Sequence, residues 1–428
     1  MSDATHQQFN KRNTLFFRTL CLYLLMYVLF ISDYANNYRI LWHLNQPLKY
    51  LSEKLGLLLN KLFFDPNFKE IRFFDSYWTY SKLLSFLLIA FIASAIWTRI
   101  DQARGSRKLF VYSYTFARYY LFVTLMLYGL WKIFETQFVM GPYEFLLPIN
   151  YYTPQIMYWT SVSVSRSYQM FGGFIEIFAG ILLLSRRTTT LGALITLTVM
   201  VNILVLDLGY DVPIKIMVVH LLIFNLLILW PDFKKLYRFF VLRGTETLEI
   251  MPSILANKKY QKLSYCVKAV FIGLVVIPQL KSNIETKYRL NHPAYKELVG
   301  IHRIDTTYQL PGTMHANLNN PKSWKAFTIG AGESFYVLFH GDSLSRYQLE
   351  VDTQNKTLRV ISWDSSFNGH LHYQNLDSTI WLFEGNLGGD TLRFVSKQYD
   401  IFKNRLFKDH EKFIWSWSPS SPPNYSLH

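Results

Sequence analysis

Apolar and polar positions divide the chain into two parts. Up to residue 280 the apolar positions come in long runs; beyond it they come in short runs that alternate with polar ones. A helix needs about 20 mostly apolar residues to cross a hydrocarbon core of ~30 Å. Runs of this kind lie at 14–32, 81–98, 112–134, 170–186, 190–208, 213–230 and 263–280, and they predict seven transmembrane helices. The third carries Arg118 near its start and the fourth carries Glu176 in its middle; the others are almost uncharged apart from Arg18 and end residues. Between the first two runs, Leu48, Leu51, Leu55, Leu58 and Leu62 follow Pro47, with Lys49, Glu53, Lys54 and Lys61 interspersed. Spacings of three and four predict an amphipathic helix that lies on the membrane or caps the bundle. Segment 135–169 is rich in Tyr, Trp and Pro, as interfacial segments are.

After Leu280 the period changes. Glu333–His340, Ser345–Val351, Thr357–Trp363, Gly369–Gln374, Thr379–Gly385 and Thr391–Lys397 are short β-branched and aromatic runs. Turn signals separate them: Gly341-Asp342, Gln354-Asn355-Lys356, Phe367-Asn368-Gly369 and Gly388-Gly389-Asp390. Successive strands joined by short polar turns make an antiparallel meander. With two further strands from Leu298–Leu310 and Lys412–Trp417 there are about eight, enough to curl into a small barrel or a strongly bent sheet. The expected architecture is an all-α membrane bundle followed by a soluble antiparallel β domain. Its parts are 1–111 (two spans and the amphipathic loop helix), 112–242 (a four-helix core), 243–280 (a loop and the last span) and 281–428 (the β domain).

Charge orients this arrangement. The chain has 428 residues and a net charge of +15, with charged residues at only 17%. The excess cations sit in loops. Arg99, Arg104, Arg107 and Lys108 follow span two, and Arg186 and Arg187 follow span four. Lys234, Lys235, Arg238, Arg243, Lys258, Lys259 and Lys262 follow span six, and Lys11 and Arg12 precede span one. Seven spans put all of these on one side, which the positive-inside rule makes cytoplasmic. The basic balance is therefore that of a multi-pass membrane protein, not of a nucleic-acid binder. The β domain is expected outside the cytoplasmic membrane. The first apolar run is too long for a signal-peptide core and is expected to be retained. Cys21 and Cys266 lie far apart within apolar runs, so no CxxC redox pair or cysteine metal cage is encoded.

Segment 118–242 resembles the DoxX-like family of membrane proteins. The residues that carry the likeness are Tyr128-Gly-Leu-Trp-Lys132, Gln137, Ser167-Tyr168 and Phe171-Gly-Gly-Phe-Ile-Glu176-Ile-Phe-Ala-Gly180. It continues through Leu184-Ser-Arg186-Arg187-Thr188-Thr-Thr-Leu-Gly192-Ala193, Asn202, Tyr210-Asp211-Val212-Pro213-Ile-Lys215 and His220. The whole layout is similar to a Bacteroidetes-type group in which a DoxX-like core precedes an outer β domain. The resemblance implies a bacterial inner-membrane location. It also implies an association with membrane oxidoreductase assemblies such as thiosulfate:quinone oxidoreductase, though fold alone does not carry function.

The candidate intramembrane polar site comprises Glu176, Lys132, Asn202, Asp211, Lys215 and His220. A carboxylate at mid-bilayer is costly and faces protein or water with a partner. Gly172 and Gly180 flank Glu176 at i±4 and let a neighbouring helix approach its face. Glu176 could serve a proton relay or a quinone contact; the commoner role is a bond that locks the bundle. Lys132 and Lys215 are its candidate partners. Asp211, four residues before Lys215, is expected to cap the helix that starts near Pro213 and to pair locally. Asn202 and His220 are expected to bond between helices. In the β domain, His370 and His372 share a strand face, which a metal site could use, though no third ligand is fixed. Trp381, Phe383, Phe394, Trp415 and Trp417 suit core packing better than a ligand cavity.

The sequence contains no nucleotide-binding loop, GxSxG or HExxH. No haem, flavin or iron–sulfur motif is present, so a redox role needs a quinone and a partner subunit that supplies the redox centre. The alternative is a non-enzymatic anchor whose β domain binds a lipid, peptide or envelope protein. A third class rests on layout alone, which resembles the membrane part of vitamin-K-dependent carboxylase-like proteins.

Overall fold

The structure, a computed structural model, describes residues 11–30, 46–63, 75–101, 106–248, 250–251, 261–305, 323–331, 334–362, 368–387 and 390–399. The helices are α1 (Lys11–Phe30), α2 (Gln46–Phe63), α3 (Tyr77–Asp101), α4 (Ser106–Ile133), α5 (Tyr143–Leu146), α6 (Pro154–Val164), α7 (Arg166–Leu184), α8 (Thr189–Gly209), α9 (Lys215–Leu229), α10 (Phe233–Phe240) and α11 (Gln261–Asn291). The strands are β1 (Gly300–Ile304), β2 (Trp324–Ile329), β3 (Ser334–Phe339), β4 (Leu344–Asp352), β5 (Thr357–Ile361), β6 (Asn368–Asp377), β7 (Ile380–Leu387) and β8 (Asp390–Tyr399). The chain forms two compact units, Met1–Leu127 with Ile175–Val275, and Tyr128–Phe174 with Val276–His428.

Among the described residues, α3, α7, α8 and Leu263–Asn291 of α11 are long and apolar enough to cross a membrane. The pair α9 and α10, bent by 82°, makes a fifth span if taken together. Length and composition thus support a membrane protein with four or five spans and do not reach the expected seven. Two of the expected runs account for the difference. The described apolar stretch Thr14–Phe30 is shorter than a full span, and α4 is diluted by Arg118 and by Tyr112, Tyr114, Tyr119, Tyr120 and Tyr128.

In the first unit, α1 packs on α3 around a buried cation. Arg18 is 1% exposed; its Nη2 lies 2.5 Å from Asp101 Oδ2, and its guanidinium sits 4.3 Å from the Trp97 ring. The expected helix after Pro47 is α2, and it turns the stripe Ser52, Gly56, Leu59 and Asn60 inward while Lys54 and Lys61 stay exposed. Ser81 Oγ of α3 donates to Asn60 Oδ1 at 3.1 Å, and Ser85 Oγ donates to the Ser52 carbonyl at 3.3 Å. Leu51, Leu58 and Leu62 remain exposed. Such a face is stable against lipid and costly against water.

In the second unit the eight strands form a closed antiparallel barrel in simple sequence order, with β8 pairing back to β1. The six central strands read from the sequence are present. Within the described part of the run at Leu298–Leu310, Gly300–Ile304 is strand, and residues 306–310 lie outside the described residues. Lys412–Trp417 and both of its tryptophans lie outside the described residues. The remaining strand is β2, which sequence reading passed over. Alternation is clean on β6, where Gly369, Leu371 and Tyr373 face in while His370, His372 and Gln374 face out. Side chains fill the interior: Phe327, Phe335, Val337, Leu358, Val360 and Phe383 are each 0% exposed. Trp381, Phe383 and Phe394 are part of this packed core.

The segment after α4 fastens to the barrel within this unit. Tyr143 stacks on Tyr336 with centroids 4.5 Å apart, and Leu146 packs with Ile301, Ala326 and Leu338. Glu144 is buried there, its Oε2 accepting the Gly141 N–H at 2.8 Å. The side chains that face this carboxylate and its neighbour are Tyr143, Tyr152, Tyr336 and Arg346. Burial pushes the Glu144 carboxyl from its ordinary 4.5 up to about 7. A carboxyl raised on folding holds its proton in the folded state. Its stabilising effect is full below pH 4.5 and is lost as pH rises through 7, for a total of about 3 kcal/mol. Between pH 5 and pH 8 the 135–165 segment should therefore become more open to protease, and Glu144→Gln should flatten that dependence. A digestion rate for the wild type that does not change with pH would refute this.

Candidate functional site

Three of the sequence-derived polar positions have distinct surroundings: Asp211 with Lys215, His220, and Asn202. Asn202 is exposed on α8 and, contrary to expectation, makes no interhelical bond among the described residues. Asp211 is exposed, adopts φ 52° and pairs with Lys215 Nζ at 2.8 Å, as the i,i+4 spacing predicts. It does not cap α9. That work falls to Asp75, whose carboxylate accepts the backbone N–H groups of Lys215 at 2.7 Å and Ile216 at 3.0 Å. A carboxylate on the first free amides satisfies unpaired donors and opposes the positive end of the helix dipole. Lys215 Nζ lies 3.9 Å from the same carboxylate. The cap is supplied from 140 positions away in sequence, which no local pattern announces.

Glu176 is 2% exposed and engaged by its surroundings. The glycines at i±4 do lie against α4. A Cβ on Gly180 would sit 3.4 Å from Leu125 Cβ, and one on Gly172 would sit 3.6 Å from Lys132 Cδ. Gly173 is tighter still: a Cβ there would come within 2.6 Å of the Gly129 carbonyl. Close backbone approach at small residues is the usual basis of helix association in lipid. Lys132 ends α4 with its ammonium 5.7 Å from the Tyr128 ring centroid.

His220 has the best-defined surroundings of the candidate residues. It is 3% exposed on α9 and lies flat against Tyr27 of α1, with centroids 3.7 Å apart and planes 8° apart. Its Nδ1 lies 2.7 Å from the Ile216 carbonyl, which can only accept, so Nδ1 carries a proton. In the neutral ring Nε2 then accepts from the Tyr23 hydroxyl, 2.8 Å away. This agrees with the expected interhelical hydrogen bond and adds a stacked tyrosine. Sequence reading missed Tyr23 and Tyr27 because they sit among other aromatic residues of an apolar run.

In the barrel, His370 and His372 are exposed on the outer face, as their spacing requires. No group of three His, Cys, Asp or Glu side chains gathers with metal-binding geometry among the described residues. The buried histidine is instead His302 on β1, 0% exposed and stacked on Phe327 at 4.8 Å. Its Nε2 donates to the Leu298 carbonyl at 2.9 Å, and its Nδ1 lies 3.1 Å from Ser396 Oγ.

No family model matches the chain, and no solved structure matches it. A curated relative is "Uncharacterized protein YwoB" of Bacillus subtilis (strain 168), 33% identical over 93 residues. The matched stretch is 22% of this chain and 60% of that protein.

Proposed function

We propose that the chain is a DoxX-like protein of a bacterial inner membrane whose helices anchor the β-barrel outside the cytoplasm. In this reading the outer face of the barrel is the working surface and binds a lipid, peptide or envelope protein. The observation that carries it is the solid interior: aromatic and aliphatic side chains occupy the volume where a barrel ligand would sit. Specificity is then left to outward residues such as His370 and His372. With α1 and α4 counted as spans, the basic loops after α3, α7 and α9 share one side, and the positive-inside rule supports the orientation.

One observation favours a second reading, the membrane subunit of a quinone-linked oxidoreductase. Half-buried Tyr23 with buried Tyr27 and His220 forms an aromatic and hydrogen-bonded cluster of the kind that accommodates a quinone ring and its carbonyl. The two readings part in a strain that lacks the gene. Under the anchor reading, a copy without residues 292–428 fails to complement, His220→Gln complements fully, and the purified protein carries no quinone. Stoichiometric quinone that is lost in His220→Gln, with complementation by the truncated copy, would reverse the order.

A further inference from the structure

Three cations from three elements converge on the last turn of α7. Arg118 of α4 donates Nε to the Leu183 carbonyl at 2.9 Å. Lys268 of α11 donates Nζ to the Leu184 carbonyl. Arg186 stands in the turn itself and donates to the Met251 carbonyl at 3.2 Å. All three belong to the first unit, and Arg186 acts electrostatically on both of the others, which also act on each other. Cations suit a helix C-terminus, but that end supplies only about half a negative charge. Among the described residues no carboxylate lies within ion-pair distance of any of the three. Asp232 accepts instead from the Thr190 hydroxyl at 2.6 Å. Among the described residues, more than about two positive charges are thus left without a counter-charge.

Arg118 sharpens the case. It is 4% exposed, and among the described residues its Nε bond is its one hydrogen bond. Among the described residues its Nη1 and Nη2 have no acceptor. The two Nη atoms carry four N–H donors that match phosphate oxygens, and a neighbouring ammonium adds a point charge.

We propose that Arg118, Arg186 and Lys268 form a binding site for the phosphate of an anionic lipid headgroup. The source is assigned to lipid because the adjoining element has the form of an interfacial helix. The Thr190–Asp232 bond ties the start of α8 to the start of α10. Helix α10 leaves α9 at 82°. It turns Phe233, Tyr237 and Phe240 to one side and Lys234, Lys235 and Arg238 to the other. Such a helix lies along the headgroup layer with its basic side toward anionic lipid. The proposal rests on these helices being membrane spans and not on the role given to the barrel, so the two can fail separately.

The test is melting of the full chain in nonionic detergent with added dioleoylphosphatidylglycerol, dioleoylphosphatidylcholine or inorganic phosphate. Phosphatidylglycerol should raise Tm by about 4 °C more than phosphatidylcholine. Arg118→Gln should lose that increment, and because this buried variant can fail to fold, R186E/K268E provides the second arm. Most of the increment should vanish in R186E/K268E and persist in Lys281→Gln. Equal shifts with the two lipids, or an increment retained in R186E/K268E, would overturn the site. An equal increment from inorganic phosphate alone would overturn its assignment to lipid.

Discussion

Gly385→Ala is expected to cost the barrel upwards of about 4 kcal/mol, enough to prevent folding of a marginally stable domain. Gly385 lies on β7 opposite Leu371 of β6, with φ 159°. A Cβ built there meets the His370 carbonyl oxygen at 1.9 Å and the Leu371 Cα at 2.9 Å. Both obstacles are backbone, so no side-chain rotation relieves them. The strands must separate, and the β6–β7 pairing runs from Gly369 to Asp377. Losing its register would expose Leu371, Tyr373, Trp381 and Phe383 together. Urea unfolding followed by near-ultraviolet circular dichroism measures the effect. Gln374→Ala, an outward neighbour on β6, should stay within about 0.5 kcal/mol of the wild type. A Gly385→Ala protein as stable as that control would mean that the two strands do not approach as described.

Acidification should unfold the same barrel through His302. Complete burial against Phe327 pushes this imidazole down from 6.5 to about 4. A histidine held neutral on folding contributes stability that is present above pH 6.5. That contribution is lost as pH falls through 4, because the unfolded chain takes up the proton first. The shift corresponds to about 3 kcal/mol. The sign is opposite to that of Glu144, whose contribution fades as pH rises toward 7. The barrel should therefore weaken on the acid side, and the fastening of the 143–146 segment on the alkaline side. His302→Gln removes the titrating group, keeps a donor for the Leu298 carbonyl and should flatten the acid limb at some cost at pH 7. Tm measured from pH 4 to pH 8 checks this; an acid limb identical in both proteins would assign it to other groups.

What the sequence disclosed follows from periodicity. The apolar runs read as spans are helical apart from short ends at Phe134, Ser185–Arg186, Pro213–Ile214 and Trp230, and six alternating runs are strands. Strand β2 escaped because four of its six residues, Ala326 to Ile329, are buried in succession, so no two-residue alternation exists to be read. Helix α11 was cut short at residue 280 because its last turns, Lys281 to Asn291, are polar; they extend the helix without an apolar run. The polar site was less legible. Asn202 and His220 look alike from sequence, each one polar residue in an apolar helix, yet one is exposed and the other buried. The difference depends on which helix packs alongside, and that depends on residues far away. Asp75 reaches α9 across 140 positions, and Arg18 reaches Asp101 across 83. Such pairs are properties of the fold, and only the individual residues appear in the sequence.

Strand β1 bonding to β8 has a consequence for any partner of this protein. A free sheet edge offers a ladder of unpaired amides and carbonyls onto which a foreign peptide can extend, and many recognition domains bind in that way. Here the ladder is spent on the chain itself, from Ile301 facing Tyr399 to Ile304 facing Ser396. Strand addition, strand exchange between copies and edge-to-edge aggregation are closed to the intact barrel. Whatever docks on it must be told apart by the shape and charge of side chains.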